Sequence, residues 1–336
     1  MSLAGRLAGL ARVILLEREE LLATHTTGRS AAVFTETYGN VEVRALTSEA
    51  RSFFVNPPAG FADRPLLTPR ATLFVGRADH VGALEDWLSE NPLAARAVPL
   101  QEVYGRMPIL RRDLFVAAGE ELGAADIDVH GLFEGFRRMA VHGGVEIVTS
   151  AEVLGIAQTG SSWIIETSQG AYSAGVVVNA GGAWAGRVGI AAGLGDRGLT
   201  PLRRTAITIE PPEGVDISNW LFVCDIGDEF YFKPEAGLVL ASPVDETPSE
   251  PCDAQPEEID VATIAWRIEE ATTMKVSRIR RKWAGLRTFT PDRTPIFEFD
   301  AAASGFFWLA GQGGYGIQTA PSISLHAARK ILQYLS

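Results

Sequence analysis

An arginine at the end of an apolar, strand-like run can grip a carboxylate, because its planar guanidinium offers two parallel donors. Arg287 closes such a run, Trp283-Ala-Gly-Leu-Arg287, shortly before a turn containing Pro291. Arg204 and Tyr231 fall on other candidate strands, and a phenol adds a further donor to the same chemistry. Any single arginine more often serves a surface or structural ion pair, so residue type alone leaves both roles open.

A second set of residues suits a nucleotide. Glu17 ends the run Arg12-Val-Ile-Leu-Leu-Glu17, and an acid at the end of such a strand can accept hydrogen bonds from adenosine-ribose hydroxyls. It fits a solvated surface glutamate about as well. Thr26-Thr27-Gly28-Arg29-Ser30-Ala31 precedes a stretch with helical character. Hydroxyls and backbone N–H groups there could hold phosphate, although an ordinary helix cap is the commoner role. Asn179-Ala-Gly-Gly-Ala-Trp184 and Gly311-Gln-Gly-Gly-Tyr-Gly316 are glycine turns. The second has four glycines in six residues, leaving one face nearly bare for a flat ligand. A glycine-rich loop alone remains a weak signal.

These residues need elements to hold them. Residues 12–17 read as a strand buried on both faces of a parallel sheet, after a helix over 2–10. Gly175–Asn179 and Gly305–Ala310 are two more buried strands, each running into glycines and then a helical segment. Strand, glycine turn and helix in succession predict a doubly wound α/β sheet with its ligand at the strands' carboxyl ends. A helix is expected over 128–142, a strand over 145–148 and a hairpin over 155–173. Strands at 72–75, 205–210, 229–233 and 237–241, with a helix over 256–273, have a different character. The reading is an α/β fold in which a nucleotide-binding domain of three pieces (1–50, 126–198, 296–336) is interrupted by a second domain (51–125, 199–295).

Composition narrows the function. The chain has 336 residues, 46% hydrophobic and 21% charged, with a net charge of −11. Such apolar content excludes a disordered chain, and an acidic surface disfavours nucleic acid. No apolar run reaches the roughly 20 residues of a membrane span. Arg6 and Arg12 interrupt the apolar opening, so no export signal is read, and the expectation is a cytoplasmic protein. Two cysteines, Cys224 and Cys252, form neither a disulfide framework nor a four-ligand zinc site, and the five histidines lack metal-ligand spacing.

Several segments together resemble one family, the FAD-dependent D-amino-acid oxidases and dehydrogenases, which includes glycine and sarcosine oxidases. Within it, the likeness is greatest to the bacterial D-arginine dehydrogenase type. The resemblance is carried by His25-Thr-Thr-Gly-Arg-Ser-Ala-Ala32, Tyr38-Gly-Asn40, Asn56-Pro-Pro-Ala-Gly-Phe61, Pro65-Leu-Leu-Thr-Pro-Arg70, Val178-Asn-Ala-Gly-Gly-Ala-Trp184, Phe230-Tyr-Phe-Lys-Pro234, Trp283-Ala-Gly-Leu-Arg287 and Gly311-Gln-Gly-Gly-Tyr-Gly-Ile-Gln-Thr319. They run in the family's order across essentially the whole chain.

The resemblance implies a Rossmann-like FAD-binding domain from noncontiguous segments plus an antiparallel-sheet substrate domain. It implies a noncovalent FAD, since no cysteine lies near the C-terminal glycine loop. Glu17 would hold the adenosine ribose. Thr27, Gly28, Arg29, Ser30 and Ala31 would lie along the pyrophosphate and flavin, and Val153 would meet the adenine side through its backbone. Ala180, Gly181 and Trp184 would flank the cofactor. Gly313, Gly314, Tyr315, Gly316, Ile317, Gln318 and Thr319 would line the isoalloxazine edge. The catalytic group would be Arg287 as carboxylate clamp with Tyr231, Arg204, Tyr38 and Gly314.

The implied reaction is hydride loss from the α-carbon of an amino acid to the flavin, without a dedicated general base. Oxygen or a quinone would take the electrons. A secondary amine or a 2-hydroxy acid is the alternative substrate, and a flavin-binding protein without turnover the alternative class. This sequence departs from the D-arginine type at Thr72, where that type has a glutamate, and at Val33, where it has a histidine. Both changes imply neutral or apolar substrates. It also lacks the glycine fingerprint expected about 20 residues before Glu17. The expectation is that the central strand and phosphate loop precede Met1 in the full product, and that the chain as given exposes sheet edges and holds FAD weakly.

Overall fold

The computed structural model describes all residues, 1–336. Two sheet systems organise it. The parallel one is in two pieces: Ile14–Leu16 pairs with Glu146–Val148, and Val177–Asn179 pairs with Phe306–Ala310, which also takes the antiparallel strand Ile296–Phe299. No strand joins the two pieces. Ile14–Leu16 is therefore half-buried and paired on one edge, not buried on both faces as its unbroken hydrophobicity suggests. Phe306–Ala310 is buried at every position, as its five apolar residues demand.

Helices cover these strands. Ser2–Leu7 is shorter than the expected 2–10 span: it stops before Gly9, whose φ is +74°. Val129–His142 starts where the Asp128 carboxylate accepts the Gly131 N–H at 2.8 Å. Gly316–Leu335 leaves the C-terminal glycine turn and packs against Val41–Val55 through Leu46, Ile323 and Ala327. The domain boundary expected between residues 50 and 51 falls inside Val41–Val55 and would divide one continuous helix. The expected hairpin is a three-stranded meander, Val153–Thr159, Ser162–Thr167 and Gly170–Ala174.

The second system is a nine-stranded, largely antiparallel sheet. Its longest members, Thr200–Ile209 and Ile279–Phe289, pair along their whole length. Tyr231–Glu235 pairs with Leu238–Ser242, while Phe222–Asp225 carries the sheet across to Thr72–Gly76 and Ala117–Glu121. Side chains alternate across a strand, so each strand serves two faces. Leu73, Val75, Ile207, Val223, Phe232, Val239 and Ala241 face the helix Glu258–Ala271 and bury its Ile264 and Ile268, forming a core of 25 residues. The alternate positions face the parallel sheet. No helix is long and apolar enough to cross a membrane.

Candidate active site and cofactor cleft

Between the two systems lies a cavity of about 510 Å³, lined at one end by Glu17 and at the other by Arg287. That volume suits a small-molecule ligand, within the range of about 300–1,000 Å³ usual for such sites.

At the Arg287 end, strand register places the polar groups. Arg204 pairs with Gly285 and Leu202 with Arg287, so both arginines project from one face as diagonal neighbours. Tyr231 pairs with Cys224 and with Ser242, which brings the phenol to the same face with Phe222 against its ring. Arg204 is buried and partly used, donating to the Asp245 carbonyl at 2.8 Å and the Glu246 carboxylate at 3.2 Å. Burial and the nearby Arg287 hold its pKa below the usual arginine value. Arg287 makes no hydrogen bond or ion pair within the protein. Burial opposes its charge, but the phenols of Tyr38 and Tyr231 and the carboxylates of Glu246 and Asp245 outweigh that and hold its pKa above the ordinary value. A cation with five unused donors, facing a cavity, is built to receive an anion.

Gly314 completes this wall. A Cβ there would lie 2.9 Å from the Tyr38 hydroxyl and 3.1 Å from Arg287 Nη1. Only glycine leaves the two donors and the backbone together in one space. Tyr38 packs edge-on against Tyr315, whose own hydroxyl burial pushes up to about 12. Tyr315 itself points away from the cavity into a pocket with Val43 and Phe289.

The Glu17 end has the shape for a nucleotide. Glu17 Oε1 accepts the Glu19 N–H at 3.0 Å, leaving Oε2 free toward the cavity. Thr27, Ser30 and Ala31 line the middle, as do Ala180, Gly182 and Ala183 on the other side. Gly182 has φ +55°, and a Cβ there would meet nothing within 4 Å, so bare backbone faces open space. The turn is fixed by Asn179, which donates to the Ala185 carbonyl at 2.8 Å and accepts the Gly181 N–H.

Several expected residues have other surroundings. Thr27–Arg29 is one short 3₁₀ turn followed by an extended segment with the strand Val33–Phe34, so no long helix starts there. The Arg29 guanidinium is spent on Asp253 and on the carbonyls of Ala254 and Ala284, tying the turn to the substrate sheet. Gly28, Val153, Gly181, Trp184, Tyr315 and Thr319 do not line the cavity. The Gly28 N–H is taken by the Ala23 carbonyl, and Trp184 is packed between His25 and Arg18. Val153 packs against the core cluster that contains Ile156, while Thr319 bonds back along its own helix to the Tyr315 carbonyl. Gly313, Gly314, Gly316, Ile317 and Gln318 line the cavity.

Sequence reasoning passed over Phe74, Phe222, Cys224 and Asp228, which line the Arg287 end. Alternation along their strands with Tyr231 and Thr72 was the signal available for the first three.

Residues 1–330 match the DAO family of FAD dependent oxidoreductases. The chain belongs to that family, and FAD is its cofactor. Rat mitochondrial dimethylglycine dehydrogenase is 24% identical over 97% of this chain, and the chain covers 40% of that protein. Indeed, it spans less than half the length of the curated relatives it matches. Two solved structures show the same fold. L-proline dehydrogenase from P. horikoshii has a TM-score of 0.84 at 18% identity, with 98% of this chain and 89% of that one covered. L-α-glycerophosphate oxidase from Mycoplasma pneumoniae, with FAD bound, has 0.85 at 18%, with 99% and 91% covered.

The residues present fit the cofactor. Glu17 with a free carboxylate oxygen, the hydroxyls of Thr27 and Ser30, and the bare turns at Gly182 and Gly313-Gly314 are polar or flat where a dinucleotide needs them. The specific likeness to the D-arginine dehydrogenase type receives no support from the relatives found, which share the fold at family level.

Proposed function

We propose that this chain oxidises the Cα–N bond of a D-amino acid with a neutral or apolar side chain, giving an imino acid that hydrolyses to a 2-oxo acid and ammonia. One observation carries the reading: Arg287 presents a guanidinium with no protein partner beside the hydroxyl of Tyr38 and the bare backbone of Gly314. An α-carboxylate satisfies that wall with two parallel bonds, and Tyr231 flanks it. Holding the carboxylate fixes where the α-carbon sits, and orientation of this kind can supply much of the rate. A bound flavin supplies the acceptor for the hydride. We read it as noncovalently held, because Cys224 lies on the substrate sheet and Cys252 is exposed, outside the glycine loop.

The neutral preference rests on the lining opposite the clamp. Thr72 is fully buried with a hydroxyl that has no partner, and Phe74, Phe222 and Val33 line the cavity near it. A cationic side chain would lose its hydration against those groups, and of the two aspartate carboxylates in the lining, Asp225 is already engaged by the Gly227 N–H at 2.9 Å. The other, Asp228, is exposed and sits in the field of Arg204, Arg293 and Arg287.

A second reading, oxidation of an N-alkylated amine, which includes the secondary amines, is favoured by the similarity to dimethylglycine dehydrogenase across nearly the whole chain. Anaerobic mixing with D-leucine, D-arginine and N-methylglycine, followed as bleaching of flavin absorbance, separates the two. Faster reduction by D-leucine than by the others supports the proposal. Faster reduction by D-arginine overturns the neutral preference, and faster reduction by N-methylglycine favours the second reading.

A further inference from the structure

The segment that delivers Tyr38 into the cavity is held from both sides by buried groups. On one side, Gln318 exchanges two hydrogen bonds with the Thr35 backbone, accepting at 3.3 Å and donating at 3.2 Å, and donates to the Thr47 hydroxyl at 2.9 Å. On the other, Glu121 accepts the Glu36 N–H at 2.6 Å through Oε1 and pairs with the Thr37 hydroxyl at 2.6 Å through Oε2. Both carboxyl oxygens are thus committed to the two residues before Tyr38.

Glu121 is completely buried. Its neighbour Glu120 points to the opposite face and is neutralised by Arg96 and Arg106. No cation pairs with Glu121. The charged group facing it from the Tyr38 segment is Glu36, itself paired with Arg51. Across the strand pairings stand the uncharged Thr72 and Ala95, and from the neighbouring strand Cys224, which burial keeps as a thiol. Burial therefore pushes the Glu121 carboxyl up to about 7, against the pull of its own hydrogen bonds.

We propose that Glu121 is the positioning residue for Tyr38: its neutral carboxyl latches Glu36 and Thr37, and its ionisation releases them. The neutral acid satisfies both contacts, with one oxygen accepting from Glu36 and the other sharing its proton with Thr37. The anion gains hydration if the segment lifts, so opening is favoured as pH rises. The consequence for substrate passes through Tyr38, whose hydroxyl lies against Arg287 and Gly314. This rests on the reading of that wall as the carboxylate grip.

Hydrogen–deuterium exchange of the flavin-loaded protein tests the latch without any substrate. In the wild type, protection of the peptide covering residues 33–40, corrected for intrinsic rates, should fall at least about tenfold between about pH 4.5 and about 7 and level off above that. Glu121→Gln, which keeps an acceptor and a donor but cannot ionise, should hold protection constant. Thr37→Val, the milder variant, should lose protection at every pH. A pH dependence that survives in Glu121→Gln, or unchanged protection in Thr37→Val, overturns the latch. In turnover, KM for D-leucine should rise as pH climbs from about 4.5 to about 7 in the wild type and stay level in Glu121→Gln, with kcat little altered. Identical KM profiles in the two overturn the link to Tyr38. Failure of D-leucine to reduce the flavin, with the exchange pattern as expected, instead overturns the substrate reading and leaves the latch standing.

Discussion

Arg203 and Arg204 are adjacent in one strand, yet they belong to opposite faces of the nine-stranded sheet. Arg203 faces the helix side, where the carboxylates of Glu257 and Asp260 meet its guanidinium. Arg204 faces the cavity with one carboxylate and one carbonyl, and its diagonal neighbour Arg287 has none. The helix side is a dry apolar core whose few charges are neutralised by protein. The cavity side keeps one whole guanidinium, that of Arg287, without a hydrogen-bond partner in the protein, and beyond it the unpartnered hydroxyl of Thr72. A guanidinium left wholly without a partner on one face, where Arg203 on the other lacks one only at Nε, marks where the ligand belongs, because buried polar groups are otherwise paired.

If that contrast is right, arginines on the two faces should fail differently. Arg287→Leu should lower kcat/KM by about three orders of magnitude, some 4 kcal/mol, with flavin content unchanged. Wild-type kinetics in that variant would remove Arg287 from the site. A smaller effect is expected where the cavity side carries an unneutralised acid. Glu121 has a folded pKa raised from 4.5 to about 7, so the folded state binds the proton more tightly. Its contribution to stability is therefore fully present below about pH 4.5 and is lost as pH rises to about 7, a loss of roughly 3 kcal/mol. Denaturant titrations across that window should show Glu121→Gln gaining on the wild type by that order; parallel curves would mean the carboxyl is not buried in solution. Smallest is the helix-side change: Arg203→Leu should cost about 1.5–3 kcal/mol of stability, read from the denaturation midpoint, and leave KM for D-leucine where it was. A large KM change there would erase the distinction between the faces.

Much of this arrangement is legible in the sequence, and the parts that are not share a cause. The strands ending at Asn179 and Ala310 announce themselves by unbroken apolar runs into glycine, and Arg287 by its place after such a run. Glu121 does not. Two glutamates in succession, Glu120 and Glu121, read as polar edge positions, and only the long-range pairing with Thr72 and the return of Thr37 bury one of them. Arg29 is the converse case: a glycine–arginine–serine string suits phosphate, but Asp253 and the Ala254 and Ala284 carbonyls, more than 220 residues away, claim its side chain. Local pattern reports propensity and periodicity, whereas the partner of a polar side chain is a tertiary fact.

On the proposed function, the unpartnered Arg287 wall holds the substrate's α-carboxylate. The direct measurement is the rate of anaerobic flavin reduction by D-leucine set against D-leucinamide, which keeps the amine and side chain but lacks the anion. Reduction by the amide at least about a hundredfold slower, from a weaker grip worth some 2.7 kcal/mol, is the predicted result. Equal rates would contradict it.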